Sequence, residues 1–156
     1  MAAKKSAPKA TAILNRRAKF DYELGDSIST GIVLSGPEVR AVRDGHAQLK
    51  GSFVSIKSNE LWLNNASFSI KLNEKGEKSK SVDTRPRKLL AKKKEIEQLQ
   101  SQKAQGFTIV PIKIIPSGRY IKVIIAPGKG KKSYDKRETI KRRQQDRETK
   151  RSLKKY

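Results

Sequence analysis

The large apolar side chains of this chain fall in short runs of alternating character, nearly all of them between residues 20 and 126. Phe107 to Ile115 and Tyr120 to Ala126 are two strongly β-prone runs joined by Pro116-Ser-Gly-Arg119, a spacing that predicts a hairpin. Phe53-Val-Ser-Ile-Lys57 and Leu61-Trp-Leu63 alternate apolar and polar residues across Ser58-Asn-Glu60 and predict a second. Ala66 to Lys71 repeats the period of two, and Ile28 to Leu34 reads as a strand in which Gly31 marks a bulge or a close backbone approach. About six short strands with about three helices point to a mostly β fold with flanking helices, an OB-like closed antiparallel β-barrel.

The helical signals sit between these runs. Asn15 is placed to cap a short helix over Arg16 to Tyr22. Ser35-Gly-Pro-Glu38 has the spacing of a capping box, and the helix it opens turns Val39 and Val42 inward before stopping at Gly45. A longer helix is predicted from about Arg87 to Gln105, with Leu89, Ile96 and Leu99 on one face and Gly106 after its end. Leu72 to Thr84 reads as a long polar loop.

Charge divides the chain further. The 156 residues carry a formal net charge of +22, which calls for a polyanionic partner. Residues 1–19 hold six bases and no acid, and residues 127–156 hold thirteen bases and four acids. The stretch between them holds eighteen bases against eleven acids. The expected organisation is a disordered basic arm over 1–12, a compact core over 13–126 and a basic tail over 127–156. The tail has no glycine or proline after Gly130, and Glu138–Arg142 and Asp146–Lys150 are favourable helical pairs. Its only large apolar residues are Tyr134, Ile140, Leu153 and Tyr156, and Arg143, Arg147 and Arg151 repel along one face. The tail is therefore expected to be disordered alone and helical where phosphates neutralise it.

Several function classes fit poorly. The chain has no cysteine, which removes disulfides, thiolate metal sites and thiol nucleophiles. His46, in a Gly-His-Ala-Gln turn, is the one histidine, so there is no multi-histidine metal centre, and it reads as an exposed loop residue. The acids of the middle mostly sit beside lysine or arginine, unlike the clustered carboxylates of two-metal nucleases. Gly128-Lys-Gly-Lys-Lys132 lacks the spacing of a phosphate loop. No secretory signal and no apolar stretch long enough to span a membrane is present. The expectation is a soluble, cytoplasmic, monomeric binding protein with no cofactor and no enzymatic activity. Phe20, Tyr22, Phe53, Trp62, Phe68, Phe107 and Tyr120 interleave with Lys19, Arg119 and Lys122. Most of these rings are expected in the core, with Tyr22 and Tyr120 free to stack on bases.

Four blocks resemble the SsrA-binding protein (small protein B) family, the protein partner of transfer-messenger RNA. They are Asn15-Arg-Arg-Ala-Lys-Phe-Asp-Tyr22; Gly31-Ile-Val-Leu-Ser-Gly-Pro-Glu-Val-Arg40 with Arg43 and Gly45; Asp83-Thr-Arg-Pro-Arg-Lys-Leu-Leu90; and Gly130-Lys-Lys-Ser-Tyr-Asp-Lys-Arg-Glu138. The resemblance runs from about Ile13 to Arg151 in matching order. It implies an OB-like barrel that binds the tRNA-like domain of transfer-messenger RNA and brings it to ribosomes stalled without a codon in the decoding site. It places Asn15, Leu90 and Lys122 against that RNA, with Arg16, Lys19, Tyr22, Arg119 and Tyr120 as further candidates on the residues' own chemistry. It makes Gly130, Lys131, Lys132, Asp135, Lys136 and Arg137 the segment for the small-subunit ribosomal RNA at the decoding centre and messenger channel. Tyr134, an aromatic between cations, is the expected base-stacking residue there. Ser29 stands where many members have Glu, Phe20 where many have His, and Ser152-Leu153 replaces a more apolar pair. A structural ribosomal protein and a general single-strand binder remain the alternatives.

Overall fold

The computed structural model describes residues 11–74 and 77–153. Its elements are β1 (Ile13–Leu14), α1 (Ala18–Asp21), β2 (Tyr22–Leu24), β3 (Ile28–Ile32), α2 (Gly36–Arg43), β4 (Ala47–Gln48), β5 (Phe53–Lys57), β6 (Glu60–Asn64), β7 (Ser67–Glu74), β8 (Glu77–Asp83), β9 (Arg87–Leu90), α3 (Lys93–Ala104), β10 (Thr108–Ser117), β11 (Tyr120–Gly130) and α4 (Ser133–Leu153). Six strands close on themselves in the order β10-β5-β6-β9-β3-β11, with β11 pairing back onto β10. All these pairings are antiparallel. Closure removes free edges, which is how a small β protein avoids pairing with its neighbours.

The alternation seen in the sequence becomes the inside and outside of this barrel. Val54, Leu61, Leu63, Leu89, Ile109, Ile114, Val123 and Ile125 all point inward and are almost fully buried. Val42 of α2 and Leu99 of α3 join the same cluster with no exposed surface. Burying such a side chain is worth about 1.5–3 kcal/mol, so these two residues anchor their helices.

Both predicted hairpins form, with tighter turns. Lys57 pairs with Glu60 and Ser117 with Tyr120, which leaves two-residue loops. Ser58 and Asn59 both adopt positive φ, the twist that lets a two-residue loop follow the strands. Gly31 makes neither a bulge nor a close backbone approach: a Cβ there would meet the Leu90 side chain at 3.4 Å, an ordinary contact.

Three expectations are corrected. The helix read from Arg87 to Gln105 begins only at Lys93, and Arg87–Leu90 is β9, pairing with β6 and β3. The polar loop read over Leu72 to Thr84 is largely a hairpin in which β8 pairs with β7. Asn15 does not cap α1. It is buried, and it braces β10 where the ladder shifts between Pro111 and Lys113. Its N–H donates to the Ile112 carbonyl at 2.7 Å and its Nδ2 to the Pro111 carbonyl at 2.9 Å, satisfying the acceptors that the bulge frees. The basic arm over 1–12 lies mostly outside the described residues, as do Tyr156 and the two lysines before it. Among the described residues no helix is long and apolar enough to cross a membrane.

Candidate nucleic-acid interface

One strand carries the alternation that builds the outer face. Along β11, Ile121, Val123 and Ile125 are buried while Tyr120 and Lys122 stand in solvent. Lys122 pairs with Gly31 on β3, and Gly31 pairs with Leu90 on β9. The three residues therefore form one row across three strands, with a notch at the glycine. Leu90 is 52% exposed and Tyr120 is 70% exposed, and both line the same groove. Around the row lies an open groove of about 710 Å³ whose walls include Ser29, Ile32, Lys92, Tyr120 and Lys122. A cation, an aromatic ring and a leucine on one groove suit a phosphate with its neighbouring sugar and base. Arg119 is exposed in the turn before Tyr120, and the Arg43 Nη2 fixes that turn by donating to the Gly118 carbonyl at 2.8 Å.

The remaining candidates lie elsewhere. Arg16 and Lys19 are exposed, whereas Tyr22 is half-buried and pairs with Gly130 at the far end of β11. Tyr22 fits there because residue 128 is glycine: a Cβ at Gly128 would come within 2.9 Å of the Tyr22 Cβ. Lys122 and Gly130 are separated by eight residues of strand, on the order of 26 Å. Seven of the eight candidates thus divide into a groove (Leu90, Tyr120, Lys122) with Arg119 in the adjoining turn, and a second cluster at α1 (Arg16, Lys19, Tyr22). Asn15 is turned into the fold beneath that second cluster, on the wall of a cleft shared with Arg17, Tyr22 and Phe53.

The tail begins where the second cluster sits. After Gly130, α4 runs for 21 residues with none of them buried. Asp135 lies in its first turn and Lys150 and Arg151 in its last, each at the favourable end of the helix dipole. Tyr134 is 57% exposed, and Lys132 and Arg137 also face solvent. Lys131 and Lys136 turn back toward α1 instead.

A buried cluster between α2 and β9 escaped the sequence reading. Glu38 of α2 is fully buried and accepts the Ser35 N–H at 2.8 Å, closing its own helix start. The same carboxylate takes Arg85 Nε at 3.0 Å and Arg87 Nε at 2.9 Å. Arg87 is itself 1% exposed on its side chain, donates to the Ala66 and Arg85 carbonyls, and lies 4.0 Å over the Phe68 ring. Burial pushes the Glu38 pKa upward, but the Ser35 N–H and the two guanidinium groups outweigh it and hold the carboxyl below its usual value. The cluster ties α2 to the strand that ends in Leu90. The only signal for it was the Asp83-Thr-Arg-Pro-Arg87 block, whose second arginine reads equally well as a surface helix residue.

The family model described as SmpB protein matches residues 12–155. The SsrA-binding protein of Streptococcus mutans is 43% identical over 143 residues, 91% of each chain. That of Ligilactobacillus salivarius is 43% identical over 154 residues, 97% of this chain and 98% of its own. A chain from the solved structure "tmRNA-SmpB: a journey to the center of the bacterial ribosome" superposes with a TM-score of 0.62 at 38% identity, covering 78% of this chain and 85% of that one. A closed six-stranded barrel and matches across nearly the whole sequence converge: this chain belongs to the SmpB family.

Proposed function

We propose that this protein binds the tRNA-like domain of transfer-messenger RNA and delivers it to stalled ribosomes for trans-translation, its tail probing the empty messenger channel at the decoding centre. The observation that carries this reading is the Lys122–Gly31–Leu90 row, a cationic and apolar groove left open on the barrel of an SmpB-family chain. The groove reads the RNA by shape, through phosphate contacts and a few stacks. Residues 13–126 form the RNA-binding core and 127–156 the probe. Gly130 to Arg137, with Tyr134 for stacking, meets the small-subunit RNA. α4 meets the core through Lys136 and Arg143 but buries none of its residues, so the phosphates of the channel supply the partner for most of its charge, and the channel admits it only when no message is there. The protein acts as a cytoplasmic monomer, by positioning RNA and without catalysis.

The test is a pull-down of the protein from cell extract with sequencing of the bound RNA. Strong enrichment of one structured RNA over ribosomal RNA is the expected result. Equal recovery of all RNAs would establish a general single-strand binder instead, and retention on salt-washed subunits without that RNA a structural ribosomal protein.

A further inference from the structure

The tail helix meets the barrel through α1. The Lys131 N–H donates to the Asp21 carbonyl at 2.9 Å, and Lys131 Nζ donates to the Lys19 carbonyl at 3.1 Å. Further along, Lys136 Nζ lies 3.2 Å from Asp21 Oδ1. Beyond it, the Arg143 guanidinium stands 5.9 Å from the centroid of the Phe20 ring. Lys136 and Arg143 are seven residues apart and so share one face of α4. Among the described residues, Lys136–Asp21 is the only ion pair joining α4 to the rest of the chain. Both partners are about two-thirds shielded from solvent, so their attraction is less screened than that of a free surface pair.

Leverage gives this contact its consequence. A 21-residue helix is about 32 Å long, and a tilt of about 10° at its root carries the tip about 5 Å. Backbone bonds at Lys131 fix where the tail starts. They do not fix where it points, because the chain turns between Gly130 and Ser133. The contacts that set its bearing are those on the helix itself, at Lys136 and Arg143.

We infer that Asp21 is a positioning residue: by holding Lys136 against α1, its carboxylate sets the direction in which the tail helix leaves the barrel. The inference rests on the proposed role of the tail in the messenger channel, where a misdirected helix would miss the entrance. Phe20 assists through Arg143, as a ring rather than a hydrogen-bonding group.

The absence of cysteine makes the test clean. Spin labels on Gln98→Cys in α3 and Gln144→Cys in α4, both exposed positions, report the core-to-tail distance distribution in the full-length protein. The parent is expected to show one narrow distribution. Asp21→Asn broadens it, and Asp21→Lys combined with Lys136→Asp narrows it again. In a reconstituted tagging assay, Asp21→Asn alone loses roughly two- to fivefold, the population shift that a partly shielded pair supports. Its affinity for transfer-messenger RNA and its melting temperature stay unchanged. Equal widths for parent and Asp21→Asn would overturn the inference, as would a tagging loss that tracks a loss of RNA affinity. The label measurement needs no ribosome, so failure of the functional reading is distinguishable from failure of this one.

Discussion

Replacing Glu38 by Ala isolates the buried cluster that ties α2 to β9. The substitution leaves Arg87, a side chain 1% exposed, without the carboxylate at 2.8 Å. Removing one partner of a buried pair costs about 3–5 kcal/mol, because the surviving charge stays desolvated. Arg87 keeps the Asp83 carboxylate at 3.4 Å, and that group is 32% exposed and weaker as a partner, which places the expected loss near the lower end, about 3 kcal/mol. For a chain of 156 residues this lowers Tm by about 6–12 °C. In urea the midpoint falls by about 1–3 M. Trp62, the single tryptophan, pairs with Lys88 on β9 and reports the unfolding by fluorescence. The double replacement Glu38→Leu with Arg87→Met removes both charges and should recover most of the loss. The pH dependence has a definite sign. The folded carboxyl sits below its ordinary value, so its contribution is fully present above about pH 4.3 and fades as pH falls through the lowered value. Glu38→Gln should flatten that part of the stability curve. A Glu38→Ala loss under about 1 kcal/mol, or a double variant as unstable as the sum of the singles, would refute the account.

Deleting residues 131–156 is expected to leave affinity for the tRNA-like domain within a few-fold and to abolish tagging of stalled chains; loss of RNA binding by the truncated protein would break the proposed division between core and tail. Lys122→Ala should reduce the salt slope of binding by about one, whereas Lys113→Ala, half-buried on the opposite strand of the same hairpin, should leave it nearly unchanged, and equal effects would mean diffuse electrostatics. Tyr134→Phe should retain tagging activity while Tyr134→Ala loses it at unchanged affinity for free transfer-messenger RNA, since base stacking is worth about 1–3 kcal/mol and needs the ring alone; Ala as active as Phe on stalled ribosomes would eliminate the stacking role.

What could be read from the sequence depended on whether the signal was local. The β10–β11 and β5–β6 hairpins announce themselves because period-two alternation and the turn lie in one continuous stretch. The β9 strand does not: Leu89, Ile96 and Leu99 have helical spacing, and only the distant partners Leu61 and Ile32 reveal that Leu89 belongs to a sheet. The β7–β8 hairpin was missed because β8 is a polar run of Lys and Ser whose Val82 is 62% exposed, so no apolar face marks it as strand. The site followed the same rule. Tyr120 was legible as a free aromatic and Lys122 came from the family resemblance, but their meeting with Leu90 across Gly31 is a product of register. Asn15 shows the opposite limit, since a residue type suited to capping or RNA contact is engaged here by the carbonyls of a bulge nearly a hundred positions away.

The length of β11 has a consequence for how such a protein can change. Its first residues wall the groove and its last, Gly130, opens the tail, with a ladder between them on β10 and β2 that shifts only at the β10 bulge between Pro111 and Lys113. Adding one residue would turn every side chain beyond it to the opposite face, and adding two would move groove and tail about 6.6 Å further apart. The strand therefore works as a gauge block between two contacts on a much larger assembly. The eleven residues from Tyr120 to Gly130 are held to their number by what lies at either end.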